Sequence, residues 1–210
     1  MTAAPVDVTL VDLSPEEMTG RLDEALSIYV EAMGYAPGTV RQRAPMWAEH
    51  ARRPGWRAVG ALGGDGALYG IAYGYPGAPG QWWFEEVRRG LTGGRRTERR
   101  SEAARERADV WLTDYFELTE LHVSPRAQGH GLGEGLLRRL LAGAANGVVL
   151  LSTPEAPAPT RAWTLYRRVG FVDVLRHHRF SSDPRPFAVL GRTLPVPGPG
   201  EPDPSPSPAG

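Results

Sequence analysis

The sequence predicts an α/β (α+β) protein, and three observations carry that prediction. Residues 116–151 read as strand, glycine-rich turn, amphipathic helix and strand. Two other pairs of strand-like runs are each close enough in sequence to pair as neighbours. Apolar residues at helical spacing fill much of the rest. A strand–helix–strand unit lays its strands parallel with a right-handed crossover, whereas hairpins are antiparallel, so the sheet is mixed.

Val6, Val8 and Leu10 alternate with Asp7 and Thr9, which predicts a strand over Val6–Val11. Ser14 with Glu17 three residues on is a capping box, and Pro15 takes the first helical position. Met18, Leu22, Ala25, Leu26, Tyr29 and Met33 continue one helix from Pro15 to Met33, ended by Gly34. Thr39–Arg52 reads as a second, shorter helix whose polar content leaves it partly exposed. Trp56–Leu62 and Leu68–Tyr75 read as strands joined by a Gly63-Gly64-Asp65-Gly66 turn.

Residues 77–109 predict two short amphipathic helices split at Thr92-Gly93-Gly94. Charges of both signs are mixed there, as on a solvated helical insertion. The alternative is a lid beside a site, with Trp82, Trp83 and Phe84 as its apolar contact surface. Phe116–Val123 is a strand, Ser124–Gly129 a turn, His130–Ala145 a helix and Val148–Leu151 a buried strand. Thr160–Val169 is a helix stopped by Gly170, and Phe171–Arg176 pairs with Phe187–Leu194. Residues 1–194 are expected to form a single domain. The Pro-rich tail, 195–210, cannot bury enough apolar surface to order itself.

The chain has 210 residues, 41% hydrophobic and 23% charged, enough for one sizeable core. Its formal net charge is zero, so its average charge makes no case for nucleic acid or an anionic membrane. It has no Cys, which removes disulfides, thiolate catalysis and Cys-type zinc sites and fits a reducing cytoplasm. The N-terminus lacks the pattern of a signal peptide, and the longest apolar run is too short to span a bilayer. All the Lys+Arg residues are Arg, and Ala, Gly and Pro are heavily used, the codon bias of a GC-rich and bacterial genome.

The richest signal is Val123-Ser-Pro-Arg-Ala-Gln-Gly-His-Gly-Leu-Gly133. Gly129, Gly131 and Gly133 leave backbone N–H groups uncovered where a helix begins. Such groups, backed by the helix dipole, attract a pyrophosphate. A P-loop needs Lys, which the chain lacks; a G-x-G-x-x-G register fails from both Gly129 and Gly131. R-x-x-G-x-G is met by Arg126, Gly129 and Gly131. Downstream, Ala162, Leu165, Tyr166, Gly170 and Phe171 fit A-x-x-L-Y-x-x-x-G-F.

With these two motifs in this order, the sequence resembles the GNAT superfamily of N-acetyltransferases, most closely over Phe116–Val174. The resemblance implies a mixed, mostly antiparallel central sheet of six to seven strands flanked by helices. Residues 77–109 would then be a helical insertion between the third and fourth strands. It implies an acetyltransferase that moves the acetyl group of acetyl-CoA to a primary amine, with acetyl-CoA as co-substrate and no metal. The turn would bind coenzyme A through Arg126, Gln128, Gly129, His130, Gly131, Leu132 and Gly133. Backbone amides of Leu121, His122 and Val123 would hold the acyl carbonyl and the pantetheine arm, one of them as an oxyanion donor. The strand over Val148–Thr153 would splay from its neighbour to admit that arm.

Tyr166 matches the residue that gives a proton to the thiolate in the family. A carboxylate, often through water, helps to deprotonate the amine. Glu120 is favoured, Glu117 is the alternative, and His122 could also serve, since an unperturbed imidazole suits a base near neutrality. Glu117 and Glu120 differ in parity, so a regular strand shows only one of them to a cleft. Ser152 and Thr153 are candidates for the acceptor side, and Trp163 for packing. Where many members carry a coenzyme-binding Asn, this chain has the Pro-rich Thr153–Thr160. The acceptor is a small-molecule or peptide amine, its pocket expected from the first two helices, the insertion and the last hairpin. His177 and His178 should face opposite sides of a strand, against a metal site. No nucleic acid or membrane partner is implied, and a homodimer stays open. A non-catalytic acyl-CoA-binding module and an interaction protein using the Arg-rich insertion are the competing functions.

Overall fold

Seven strands form one sheet, in the order β1-β2-β3-β4-β5-β7-β6, and β2, β3, β5 and β7 are buried along most of their length. The strands are β1 (Val8–Leu13), β2 (Arg57–Gly63), β3 (Leu68–Pro76), β4 (Tyr115–Val123), β5 (Val148–Pro154), β6 (Val172–His178) and β7 (Phe187–Thr193). The helices are α1 (Pro15–Gly20), α2 (Leu22–Met33), α3 (Thr39–His50), α4 (Trp82–Thr92), α5 (Glu98–Leu112), α6 (Leu132–Ala142) and α7 (Arg161–Arg168). This computed structural model describes residues 7–93, 98–158, 160–181 and 183–198, with backbone alone for 98–101. Val6 and residues 199–210 of the expected tail lie outside the described residues.

Strands β1, β2 and β3 are antiparallel neighbours, β4 runs parallel to β5, and β7 is antiparallel to both β5 and β6. The mixed, mostly antiparallel sheet expected from the sequence is therefore present. The expected first helix is two helices. Arg21 leaves helical geometry (φ −111°, ψ 13°) and its N–H bonds back to the Glu17 and Met18 carbonyls. The capping box at Ser14 is formed, and Gly34 ends α2 in the left-handed region.

The chain divides into two compact units, one of the residues up to Tyr75 with Leu118–Gly143, the other of Pro76–Glu117 with Ala144 onward. In the first unit, Leu26, Tyr29, Trp47, Ile71 and Tyr73 are buried together. Leu132, Leu136, Leu137, Leu140 and Leu141 of α6 are buried too. Burial of each such side chain stabilises the fold by about 1.5–3 kcal/mol, which fixes α6 behind its glycine turn.

In the second unit, Trp83, Phe84, Trp111 and Tyr115 pack in one core with Leu150, Val174 and Val189. The two helices expected over 77–109 are α4 and α5, and Gly93 ends α4 at φ 68°. Trp83 and Phe84 do not form a contact surface: their rings lie 5.7 and 6.4 Å from that of Tyr115. Trp82 alone of the three is exposed, beside Phe180.

Candidate active site

The turn after β4 is built by its own backbone. Ser124 N–H donates to the Tyr69 carbonyl at 2.9 Å, and Ala127 N–H to the Ser124 carbonyl at 2.8 Å. Pro125–Ala127 makes one 3₁₀ turn, and Gln128 Nε2 donates back to the Val123 carbonyl at 2.9 Å. Gly129 (φ 92°) and Gly131 (φ 76°) then take left-handed conformations that favour glycine. A Cβ at either would meet nothing within 4 Å, so the concave side is open. Gly131 is the N-cap of α6 and no side chain caps it. Helix geometry leaves the first N–H groups of α6 without intrahelical acceptors. The helix therefore starts two residues later than expected, with Leu132 buried and His130 and Arg126 exposed.

Glu120 and His122, two apart on β4, share a face as the strand period requires. Glu120 Oε2 lies 2.6 Å from His122 Nε2, with both side chains largely buried. The imidazole has the Tyr29 ring edge-on at 5.0 Å and the Trp47 ring near-parallel at 6.4 Å. Burial, and secondarily the charge of Glu120, raise the Tyr29 hydroxyl well above its ordinary pKa, so it stays protonated. Its hydroxyl hydrogen-bonds that of Tyr35. Beyond Trp47, His50 Nδ1 and the Tyr73 hydroxyl are 3.1 Å apart. Burial, aided by the Arg53 guanidinium, pushes His50 down to about 4, so it is neutral near pH 7. The acid–imidazole pair thus sits in an aromatic wall from α2, α3 and β3.

The sequence reading missed this wall. Trp47 and His50, one turn apart on α3, gave the available signal, but the polar remainder of that helix masked it. Glu117 has the opposite parity and is buried. Leu121, His122 and Val123 are half-buried at the end of β4.

In the second unit, Thr160 caps α7 by accepting from Trp163 N–H at 3.3 Å. Tyr166 is buried, its ring 5.6 Å from that of Phe171, and the Phe171 N–H donates to the Tyr166 carbonyl. Trp163, expected as a packing residue, is half-buried. Its indole donates to the Pro154 carbonyl at 3.1 Å, and the Arg167 and Arg176 guanidiniums lie 5.1 and 5.2 Å from its ring. Thr153 is buried, and Ser152 Oγ accepts from Trp83 Nε1 at 3.2 Å. Glu155 binds Arg176 and the backbone and ring of His177, fastening the Pro-rich segment to β6. His177 is exposed at φ 55°, whereas His178 packs against Phe180. Among the described residues no His, Cys, Asp or Glu cluster could hold a metal.

A mixed sheet whose fourth strand leads through glycines into an uncapped helix presents main-chain N–H groups suited to an anion. The family model of the GNAT acetyltransferase domain matches residues 86–173. A GCN5-like protein acetyltransferase of Mycobacterium tuberculosis is 50% identical over 211 residues, covering 90% of this chain and 99% of that one. The chain belongs to the GNAT acetyltransferase family, and its chemistry is acyl transfer. The fold is shared with a GNAT superfamily phosphinothricin acetyltransferase from Sinorhizobium meliloti, solved in complex with AcCoA. That structure has a TM-score of 0.53 at 19% identity over 92% of this chain and 89% of that one. A GNAT family acetyltransferase from Bacillus cereus has a TM-score of 0.53 at 12% identity, over 89% of this chain and 97% of that one.

Proposed function

We propose that this protein transfers the acetyl group of acetyl-CoA directly to a primary amine of a protein or peptide. One observation carries the reading: α6 opens on Gly129 and Gly131 with bare N–H groups and no side-chain cap. The donor set fits a diphosphate, being all main chain, open on one side and backed by the positive end of a helix. Arg126, Gln128, His130, Leu132 and Gly133 complete the coenzyme site in this proposal. The amides of Leu121–Val123 hold the acyl carbonyl and the pantetheine arm.

Glu120 takes a proton from the acceptor ammonium, directly or through one water. The amine nitrogen attacks the thioester carbonyl, the N–C bond forms and the C–S bond breaks. Tyr166 gives the departing thiolate its proton and regains one from the nitrogen of the tetrahedral intermediate, directly or through water. The products are an N-acetylated amine and coenzyme A. With no Cys in the chain to carry the acetyl group as a thioester, transfer in a ternary complex is the economical route. A protein acceptor is favoured because the 50% identical relative is a protein acetyltransferase. Use of acetyl-CoA places the reaction in the cytoplasm in this proposal.

The test is thiol release from acetyl-CoA against a panel of small amines and of peptides with free amino groups. Release that depends on the amine, greatest with peptides, is the expected result. Tight acetyl-CoA binding with no release for any amine would instead indicate an acyl-CoA-binding module.

A further inference from the structure

The contact of 2.6 Å between Glu120 Oε2 and His122 Nε2 is short for an uncharged pair. A carboxylate that is to take a proton only accepts, so in the working form of the pair the nitrogen carries the hydrogen. The imidazole cannot easily turn away, because the Tyr29 and Trp47 rings lie against it. Other groups around the pair are Tyr29 on α2, Tyr35 after it, Arg43 and His50 on α3, and Tyr73 on β3. Tyr29 is engaged with Tyr35, and His50 is neutral and engaged with Tyr73. The partner shown for the carboxylate is therefore His122.

We propose that His122 is the positioning residue of the base: its Nε2–H, held on Oε2 of Glu120, turns Oε1 towards the acceptor amine. The inference rests on the reading of Glu120 as the base. The proton leaves the ammonium nitrogen, goes to Oε1 and passes on to solvent, while His122 keeps its own hydrogen throughout. One imidazole thus sets the direction in which the base points.

His122→Phe keeps a ring between Tyr29 and Trp47 but removes the donor, and His122→Gln restores an N–H of similar reach. Steady-state kinetics with acetyl-CoA and the best amine of the panel are measured across pH for both, beside wild type and Glu120→Gln. His122→Phe is expected to lower kcat by up to about a hundredfold, the cost of a misdirected catalytic group. KM for acetyl-CoA should stay within about twofold, because His122 meets the coenzyme through its backbone amide in this proposal and the substitution keeps that amide. His122→Gln should recover most of the loss in kcat, which a merely structural role for the ring would not do. His122→Ala serves as the donor-free variant if His122→Phe melts below the assay temperature.

A His122→Gln enzyme no faster than His122→Phe overturns the inference. So does an active Glu120→Gln beside an inactive His122→Gln, since His122 would then be the base itself. Wild type that releases no coenzyme A with any amine contradicts acetyl transfer, a failure distinct from these two.

Discussion

Arg138 lies one turn beyond Glu134 on α6, its Nε 2.9 Å from Oε1. Glu134 stands in the first turn, where a bound pyrophosphate would meet its negative charge. The i,i+4 pair offsets that charge in the free protein. Arg138→Ala is therefore expected to raise the Kd for acetyl-CoA by about two- to fivefold, and Glu134→Gln to lower it. Titration calorimetry at low and moderate salt checks both, and the differences should shrink as salt rises.

Gly131 at φ 76° combines a left-handed backbone with an open approach. Gly131→Ala should cost about 1–2 kcal/mol of stability through the backbone alone. Its effect on coenzyme binding should be larger, because the N-cap residue aims the first amides of α6. Loss of at least tenfold in acetyl-CoA affinity, with a thermal shift of a few degrees, is the expected pattern.

Tyr166→Phe keeps the ring packed against Phe171 and removes the hydroxyl. If the hydroxyl protonates the thiolate, kcat should fall by about a hundredfold or more while acetyl-CoA binding is kept. Single-turnover kinetics separates this from slow product release. An unchanged chemical step would remove Tyr166 from the reaction.

His50 gives the fold an acid-side dependence. Burial, with the Arg53 charge, lowers its imidazole from 6.5 to about 4 in the folded chain. Between those values the unfolded chain binds a proton that the folded chain does not. Stability from this source is complete above about pH 6.5 and is lost as pH falls towards 4. His50→Gln should flatten urea-unfolding stability across that window relative to wild type.

The glycine turn and the start of α6 were legible in the sequence because their signals are local. Pro125, the three glycines and the leucines of α6 each dictate backbone or burial within a few residues. The same holds for the capping box at Ser14 and the stop at Gly170. The Arg21 break between α1 and α2 was not legible, since apolar spacing runs through it unchanged and only backbone geometry separates the two helices. The shared face of Glu120 and His122 follows from parity alone. Their enclosure by Tyr29, Trp47, His50 and Tyr73 needed the packing of α2 and α3, which no local pattern states. Trp83 and Phe84 show the converse: consecutive aromatics suggested a contact surface, and tertiary packing used them as core.

The most direct measurement is a crystal structure of the protein with acetyl-CoA. The account predicts pyrophosphate oxygens within hydrogen-bond distance of main-chain N–H groups between Gln128 and Gly133, at the start of α6. A pyrophosphate bound elsewhere, with those amides turned to solvent, would contradict it.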